Sequence, residues 1–335
     1  MKKPYKKVFF EISGNCQAKC PHCCTGNRSL REHPSRFIPE NEFERAVRSL
    51  YEKGLADESS RFDLYNWGEP FLHPQLLDIL QVIFDQGAKY RLSTNAGIYK
   101  QLPFRLTQNL TRLTVTIPGF SQASYDRVHG LNFDSVLKNI QAFAEDLGTS
   151  RLWITYLVHQ FNLNEIREAY RFFKKIGIRM AFTVAYLNDY NLSRDYLNGS
   201  LPNNRITRMG RDLFLSYVED LIASRPEDYV CPQFSILALD EYCNVLTCCQ
   251  VNKGHPDYSL GSLFDLKAKD IYQGKLNRKV CRECQDLGMD YWIQTVPPFP
   301  FLDQLTGEGL PIAELLETLK WKIGSRIKRW SKRRA

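Results

Sequence analysis

The first 190 residues alternate between two patterns of apolar and polar positions. Short apolar or β-branched runs predict six strands, over residues 6–13, 61–67, 90–95, 112–118, 151–159 and 179–187. Segments of helical period predict helices between them, over residues 42–54, 74–87, 133–148 and 164–177. Each helical segment ends near a glycine, which suits a helix stop. This alternation predicts an α/β fold with a parallel sheet, in the form of an open or partial (β/α) barrel.

The pattern changes after about residue 222. Residues 231–249 predict a short hairpin between cysteines, and residues 265–284 predict a helix that runs into a C-x-x-C pair. A Pro-rich connector is expected from residue 296, followed by a last helix over about 311–331. We therefore expect three parts, which are a barrel (1–222), a small cysteine-rich unit (223–295), and the connector with its C-terminal helix (296–335).

The composition is that of an ordinary globular protein. Of the 335 residues 43% are apolar, and no apolar run reaches the roughly 18 residues that a membrane-spanning helix requires. The apolar run after the basic start is too short for a signal peptide. We therefore expect a cytoplasmic protein.

The net charge of +8 is concentrated at the C-terminal end. Residues 318–335 contain eight Lys or Arg and no acid, so the rest of the chain is close to neutral and no nucleic-acid partner is predicted. Apolar residues recur at helical spacing among these charges. Such a basic amphipathic helix either lies on an anionic membrane surface or an acidic partner, or packs on the protein with its charges solvated. The first alternative predicts peripheral membrane contact.

The ten cysteines fall into two groups, with about two hundred residues between them that contain none. Without a signal peptide, clustered cysteines indicate metal or redox chemistry rather than disulfides. The first group stands in the sequence GNCQAKCPHCC and offers Cys16, Cys20 and Cys23 at C-x3-C-x2-C spacing. Cys24 is a poor fourth ligand for the same centre, because adjacent residues are expected to point their side chains apart. His22 could complete a zinc site, whereas three thiolates on a [4Fe–4S] cluster would leave one iron open.

Cys16, Cys20 and Cys23 resemble the cysteine loop of the radical S-adenosylmethionine (radical SAM) enzymes. In that family the open iron chelates SAM, and the reduced cluster cleaves it to a 5′-deoxyadenosyl radical. The resemblance implies a partial (β/α)6 TIM-type barrel whose active-site loops follow the strands. It also implies a reductant such as flavodoxin or ferredoxin.

Three further stretches follow in the order that the family has. NWGEP (66–70) resembles the family's GGEP motif, in which Glu69 would accept hydrogen bonds from the SAM ammonium, Gly68 would permit close backbone approach and Pro70 would stiffen the turn. STNAG (93–97) resembles a TNG stretch, which implies SAM-pocket roles for Ser93 and Asn95, or a helix N-cap instead. TVTIPGF (114–120) resembles the family's strand that ends in SLDG, with Thr116 in the place of Ser and Pro118 in the place of Asp. The resemblance implies that Thr116 would bond the SAM carboxylate or ribose. Asn162 fits either a pocket or a loop role.

The second cysteine group resembles the auxiliary-cluster domains, called SPASM or twitch, that follow some radical SAM barrels. That resemblance implies a second [4Fe–4S] cluster on Cys231, Cys248, Cys281 and Cys284. Cys243 stands where the family has Gly, and Cys249 is the alternative to Cys248 as a ligand. A four-thiolate zinc site remains the alternative from spacing alone.

Cys24, Cys243 and Cys249 remain as spare thiols, for which burial as small apolar residues is the simplest prediction. The sharper hypothesis is that Cys249 donates a hydrogen atom to a substrate radical. We predict a radical SAM enzyme that oxidises or epimerises a small polar metabolite such as a carbohydrate. The alternatives are a peptide-modifying enzyme of the same family and a non-catalytic iron–sulfur or zinc protein.

Overall fold

The computed structural model describes residues 3–27, 35–185, 187, 189–251 and 253–295. The predicted connector and tail helix (296–335) lie outside these residues. No helix within the described part of the chain is both long enough and apolar enough to cross a membrane.

Six parallel strands form the barrel portion, and the prediction of six strands is confirmed. They are β1 (Lys7–Phe10), β2 (Arg61–Asp63), β3 (Lys89–Thr94), β4 (Leu110–Ile117), β5 (Leu152–Val158) and β6 (Arg179–Val184). Each strand pairs in parallel with the next one in the chain. All six therefore end at the same side of the sheet, where the loops that carry the predicted motifs come together.

Helices cover one face of these strands. They are α1 (Glu40–Glu52), α2 (Leu76–Asp85), α3 (Phe104–Thr107), α4 (Gln122–Arg127), α5 (Phe133–Leu147) and α6 (Ile166–Lys175). The four longer helices match the four predicted segments. The short helices α3 and α4 were not predicted, since each is too short to show a helical period.

The two faces of the sheet differ sharply in burial. Outward-facing residues such as Val8, Leu92 and Ile154 are 0% exposed and pack with the helices in one hydrophobic cluster. Along β4 and β5, the residues that alternate with them are only half-buried. The inner face therefore remains partly accessible, as expected for an open barrel that holds a ligand on its concave side.

The sheet continues past the predicted barrel. After α7 (Tyr190–Leu197), α8 (Asn203–Met209) and α9 (Leu215–Ala223), the chain forms β7 (Ile236–Leu239), β8 (Asn244–Leu246) and β9 (Ser259–Ser262). The predicted hairpin is present as antiparallel β7 and β8. However, β7 also pairs in parallel with β1, so the strand order is β6-β5-β4-β3-β2-β1-β7-β8-β9. The hairpin is thus part of the barrel sheet rather than a separate sheet.

The turn of that hairpin contains Cys243, which stands where the resemblance to the auxiliary-cluster domains implies Gly. Cys243 adopts a φ of 61° in the turn, a left-handed conformation that glycine adopts at no steric cost. Its side chain is 0% exposed. Cys243 therefore stands at a position where the backbone favours Gly, the residue that the resemblance to the auxiliary-cluster domains implies there.

Three more helices complete the described chain, namely α10 (Ala268–Leu276), α11 (Lys279–Asp286) and α12 (Met289–Thr295). The single helix predicted over 265–284 is wrong, because the chain breaks at Asn277 and restarts as α11. A second hydrophobic cluster joins residues of α7–α9 to Val251, Val280, Met289 and Trp292. It spans the predicted boundary at residue 222, and the domain boundaries themselves stay predictions.

Candidate active site

The loop after β1 brings the three predicted cluster cysteines together. Burial, and next the charges of Cys23 and Cys16, raise the pKa of the Cys20 thiol. Burial, and next the charge of Glu69, raise the pKa of Cys16 to about 12. Thiols whose charges act on one another in this way lie near one another, here in the loop that follows β1.

Contacts from neighbouring loops hold this cysteine loop in place. The Lys19 amide donates to the His129 carbonyl at 2.8 Å, and Gln17 Nε2 donates to Asn95 Oδ1 at 2.9 Å. Asn95 Nδ2 lies 3.6 Å from Cys16 Sγ. The TNAG stretch is therefore in direct contact with the first cysteine.

Cys24 differs from the expectation that its side chain would point away from Cys23. A hydrogen bond between the two thiols, as the largest influence, lowers the pKa of Cys23 to about 7 and raises that of Cys24. The side chains of Cys23 and Cys24 lie close together although the residues are adjacent, because the chain turns at residues 21–26. Cys24 is only half-buried, unlike Cys243 and Cys249.

Glu11 holds the NWGEP turn against the end of β1, and the sequence analysis missed it. Its Oε2 accepts from the Trp67 amide at 2.6 Å and its Oε1 from the Gly68 amide at 3.1 Å. The side chain is 1% exposed. One carboxylate thus binds two consecutive backbone N–H groups, which fixes the turn relative to the cysteine loop.

Gly68 lies where no side chain fits. A Cβ atom at this position would stand 1.8 Å from the Ser13 carbonyl oxygen. The adjacent Glu69 amide donates to the Asn15 carbonyl at 2.7 Å. The close backbone approach expected of this glycine is therefore an approach to the cysteine loop itself.

Glu69 connects the NWGEP turn to the TNAG stretch. Its Oε1 accepts from the Phe71 amide at 3.0 Å and its Oε2 from the Asn95 amide at 2.8 Å. Burial is the main reason that its pKa rises to about 7, although the N–H donors of Asn95 and Phe71 oppose the shift. Pro70 is buried at the start of the short turn that Glu69 caps.

The remaining residues of the predicted SAM pocket lie on the inner face. Ser93 and Thr116 are half-buried there, on β3 and β4. Ala96 follows Asn95 with a φ of 54°, a left-handed conformation that costs an L-residue roughly 1–2 kcal/mol. A strained residue beside Asn95 is typical of a functional loop.

Asn162 has the loop role rather than the pocket role. It is 0% exposed. Its Nδ2 donates to the carbonyls of Pro118 and Leu157, and its Oδ1 accepts from the His159 amide. All of these partners are backbone groups, which belong to the end of β5 and to the loops that follow β4 and β5.

The second predicted cysteine set faces a common space. Cys231, Cys248, Cys281 and Cys284 line one cavity, together with apolar residues that include Phe234, Val251 and Val280. Burial, as the largest cause, raises the pKa of all four thiols, to about 12 for Cys231 and about 11 for Cys281. The charges of other cysteines of the set also raise the pKa of Cys231, Cys281 and Cys284. The charge of the buried Lys275 lowers that of Cys248.

Cys248 and Cys249 have different surroundings. Cys248 lines the cavity, and its Sγ accepts from the Gln250 amide at 3.2 Å. Cys249 packs instead with Ala238 and Leu246, against Phe9 on β1. This placement favours Cys248 as the ligand, as the sequence spacing predicted.

Neither set is arranged around a single point. Among the described residues, no three Cys, His, Asp or Glu side chains are positioned to hold one metal ion between them. A cluster with several irons takes each thiolate on a different iron, so its ligands need not converge on one atom.

A sequence profile described as the radical SAM superfamily matches residues 10–173. That segment contains the cysteine loop and the stretches NWGEP, STNAG and TVTIPGF. Residues 10–173 belong to the radical SAM superfamily. The family implies a [4Fe–4S] cluster and SAM, and the three thiols with Glu69 and Asn95 beside them are a donor set that fits both.

Two curated relatives cover part of the chain. Over 204 residues the chain is 24% identical to GTP 3′,8-cyclase of Aquifex aeolicus, a match that spans 58% of this chain and 62% of the relative. Over 189 residues it is 24% identical to the probable GTP 3′,8-cyclase of Methanococcus vannielii, spanning 56% and 61%. The match thus covers about three fifths of each relative.

Solved structures share the fold over a longer range. The structure of His-tagged anSMEcpe with bound AdoMet has a TM-score of 0.55 at 13% identity, and the alignment covers 93% of this chain and 98% of that one. SuiB of Streptococcus suis bound to precursor peptide SuiA has a TM-score of 0.54 at 15% identity, covering 81% and 65%. BtrN in complex with AdoMet and 2-DOIA has a TM-score of 0.50 at 14% identity, covering 86% and 89%.

Lys275 is a second residue that the sequence analysis missed. It is 2% exposed, and its ammonium donates to the Ile236 carbonyl beside the second cysteine set. Burial lowers its pKa to about 8, and the opposing influences are the charges of Cys248, Cys249, Cys281 and Cys231. A buried ammonium needs a compensating anion, and thiolates bound to a cluster would supply it. Lys275 lies six residues before Cys281, the first cysteine of the C-x-x-C pair, and nothing in the sequence at that position indicated its role.

Glu11 generates a prediction about pH. Burial, and next the charge of Glu241, raise its pKa to about 8 from 4.5. The folded protein therefore binds a proton at Glu11 that the unfolded chain releases above about pH 4.5. As a result, stability falls as the pH rises from about 5 to 8, by up to about 1.4 kcal/mol per pH unit.

Glu11→Gln should remove this fall in stability with rising pH. The variant should keep a constant difference in stability from the wild type at low pH, because Gln has one acceptor oxygen instead of two. Denaturant midpoints measured between pH 5 and 8 check it, with Glu52→Gln, at an exposed position of α1, as the control. Parallel pH profiles for the wild type and Glu11→Gln would contradict the role given to Glu11.

Proposed function

We propose that this protein is a radical SAM enzyme. The observation that supports it best is the meeting of Cys16, Cys20 and Cys23 with Glu69 and Asn95 at the ends of parallel strands. When bound, the cluster would pass one electron to SAM, which separates into methionine and a 5′-deoxyadenosyl radical. That radical would then take a hydrogen atom from the substrate.

Glu69 is proposed to hold the SAM ammonium. Its two oxygens each accept one backbone N–H in the structure, and the Thr94 side chain is a third partner. A carboxylate offers about four acceptor positions, so Glu69 can take one further donor. An ammonium beside it would favour the ionised carboxylate, opposing the effect of burial on its pKa. Ser93 and Thr116, which are half-buried on the inner face, would offer hydroxyl groups to the same ligand.

The first test is a cleavage assay on anaerobically reconstituted protein with SAM and a strong reductant. We expect 5′-deoxyadenosine from the wild type and from Cys24→Ala, whose thiol is not a proposed ligand. Cys16→Ala should reduce the yield to background, since the cluster would lose one of three thiolates. Equal yields from the wild type and Cys16→Ala would contradict the proposal, as would protein that holds zinc tightly and no iron.

We further propose a second [4Fe–4S] cluster on Cys231, Cys248, Cys281 and Cys284, with Lys275 as its buried counter-charge. A nearby cation favours the more negative, reduced form of a cluster. Lys275→Met should therefore lower the reduction potential of this cluster by about 60 mV or more, which is tenfold in a one-electron equilibrium.

An electron paramagnetic resonance redox titration measures this potential, and Lys269→Met, an exposed change in the same helix, is the control. An unchanged potential with the second cluster fully present would show that Lys275 does not act on it. Failure to assemble more than one cluster per chain would instead contradict the second cluster itself.

Cys249 is proposed as a hydrogen-atom donor. Burial, as the largest cause, raises the pKa of its thiol to about 12, so it keeps the S–H bond that such a donor requires. The thiol packs beside Phe9 of the inner face, and Gln233 Nε2 lies 3.3 Å from its sulfur. It therefore stands between the barrel interior and the second cysteine set.

Cys249→Ser should keep 5′-deoxyadenosine formation and lose product formation, because an O–H bond is a poorer hydrogen-atom source than S–H. Cys243→Ser, a change of another buried thiol outside both cysteine sets, should leave the ratio of product to 5′-deoxyadenosine unchanged. The hypothesis does not survive an unaltered ratio in Cys249→Ser.

Three reaction outcomes fit this starting step. Oxidation or epimerisation of a small polar metabolite such as a carbohydrate is the outcome predicted from sequence, and modification of a peptide is its alternative. The names of the curated relatives add a cyclisation, since both are named for a reaction of GTP. A flavodoxin or ferredoxin is the proposed reductant, and membrane contact through the tail stays a prediction.

A further inference from the structure

Basic side chains lie next to one another on the inner face of the sheet. Strand register places Lys7 opposite Arg61, and Arg91 opposite Arg112. It also places Trp153 opposite Arg179. We refer to these five basic residues as the cation layer, which consists of Lys7, Arg61, Arg91, Arg112 and Arg179.

One carboxylate neutralises part of this layer. Asp63 is 1% exposed, and its oxygens lie 2.9 Å from Arg61 Nε and 3.6 Å from Lys7 Nζ. Arg91 stands opposite the same Asp63 in the register, but its described hydrogen bond goes to the Thr111 hydroxyl. The layer therefore keeps a clear excess of positive charge.

That excess is costly in the ligand-free protein. Like charges directly opposite each other destabilise a sheet, and the layer contains two such pairs. Burial, and next the charges of Arg112 and Arg61, lower the pKa of Arg91. Arg112 Nε is buried without a hydrogen-bond partner among the described residues, while its guanidinium stacks 4.9 Å from the Trp153 ring.

Hydroxyl groups connect the cation layer to the cysteine loop. Ser93 stands opposite Thr114, and Thr116 opposite Thr155, on the same inner face. Arg91 and Asn95 are four residues apart, which corresponds to about 13 Å along a strand. An elongated molecule bound to the layer at one end would therefore reach the Glu69 and Asn95 region at the other.

We propose that the inner face binds an elongated organic anion. A phosphate or carboxylate group with more than one negative charge would lie on Arg91 and Arg112, which can bind such oxygens in pairs. The uncharged body would lie along the hydroxyl groups, so that its far end is at the cysteine loop. This inference rests on the proposed function, because it names the class of substrate for that site.

A layer that served only to stabilise the fold would be expected to pair its cations with acids. Lys7 and Arg61 share the acid Asp63. By contrast, Arg91 and Arg112 stand opposite each other on the half-buried inner face, and neither forms an ion pair with a described residue. Sequences depart from locally favourable choices mainly at functional sites. An oxyanion would satisfy the Arg112 Nε and reduce the repulsion between Arg91 and Arg112.

Isothermal titration calorimetry with the full chain tests the proposal, and it needs neither SAM nor an assembled cluster. The probes are GTP and inorganic triphosphate for phosphate groups, and citrate for carboxylates. We expect at least one probe to bind, and Arg91→Gln with Arg112→Gln to weaken it at least tenfold. Arg333→Gln with Arg334→Gln is the control, because it removes the same charge from the basic tail and should bind as the wild type does.

Arg91→Gln with Arg112→Gln also removes a repulsive pair. This double variant should therefore have a melting temperature no lower than that of the wild type. Arg179→Gln, at an exposed position, provides a second variant that the fold should tolerate and that should weaken binding severalfold. Wild-type affinity in Arg91→Gln with Arg112→Gln and in Arg179→Gln would overturn the proposal. A wild-type protein that binds none of the three probes would also overturn it.

The failure of this inference is distinguishable from the failure of the proposed function. Cys16→Ala should abolish SAM cleavage and bind the anion as the wild type does. Anion binding without SAM cleavage by the wild type would contradict the proposed enzyme class and leave the anion site in place. SAM cleavage by the wild type without anion binding would contradict the anion site and leave the proposed enzyme class in place.

Discussion

Two buried carboxylates hold the candidate active site together. Glu11 binds the amides of Trp67 and Gly68, and Glu69 binds the amides of Phe71 and Asn95. Backbone N–H groups beyond the end of a strand have lost their ladder partners and need other acceptors when buried. Burying a charged carboxylate is costly and raises the pKa of both groups, and the backbone N–H donors only partly oppose that rise. The cysteine loop, the NWGEP turn and the TNAG stretch are therefore positioned as one unit.

The inner face shows an ordered change in chemistry along the strands. Basic side chains lie near the strand beginnings, hydroxyl groups follow, and buried acids and thiols lie at the strand ends. The outer face carries none of this chemistry, because Val8, Leu92 and their neighbours are fully buried against the helices. A ligand on the inner face would thus meet different groups at its two ends.

Sequence patterns were enough for the barrel strands, the four longer helices and the cysteine loop, because each has a strong local signal. Glu11 had a weak one, a single acid within the apolar strand KVFFEIS. Lys275 and the cation layer had none, since they depend on strand register and on contacts between distant segments. For the same reason the sequence indicated a separate hairpin, whereas the pairing of β7 with β1 joins it to the barrel sheet.

The most direct test of the central claim is the electron paramagnetic resonance spectrum of the reduced, reconstituted protein before and after addition of SAM. If Cys16, Cys20 and Cys23 leave one iron of a cluster open to SAM, binding changes the ligands of that iron and the signal should shift. Cys16→Ala should show no SAM-dependent change. A reduced wild-type cluster whose spectrum is the same with and without SAM would contradict the account.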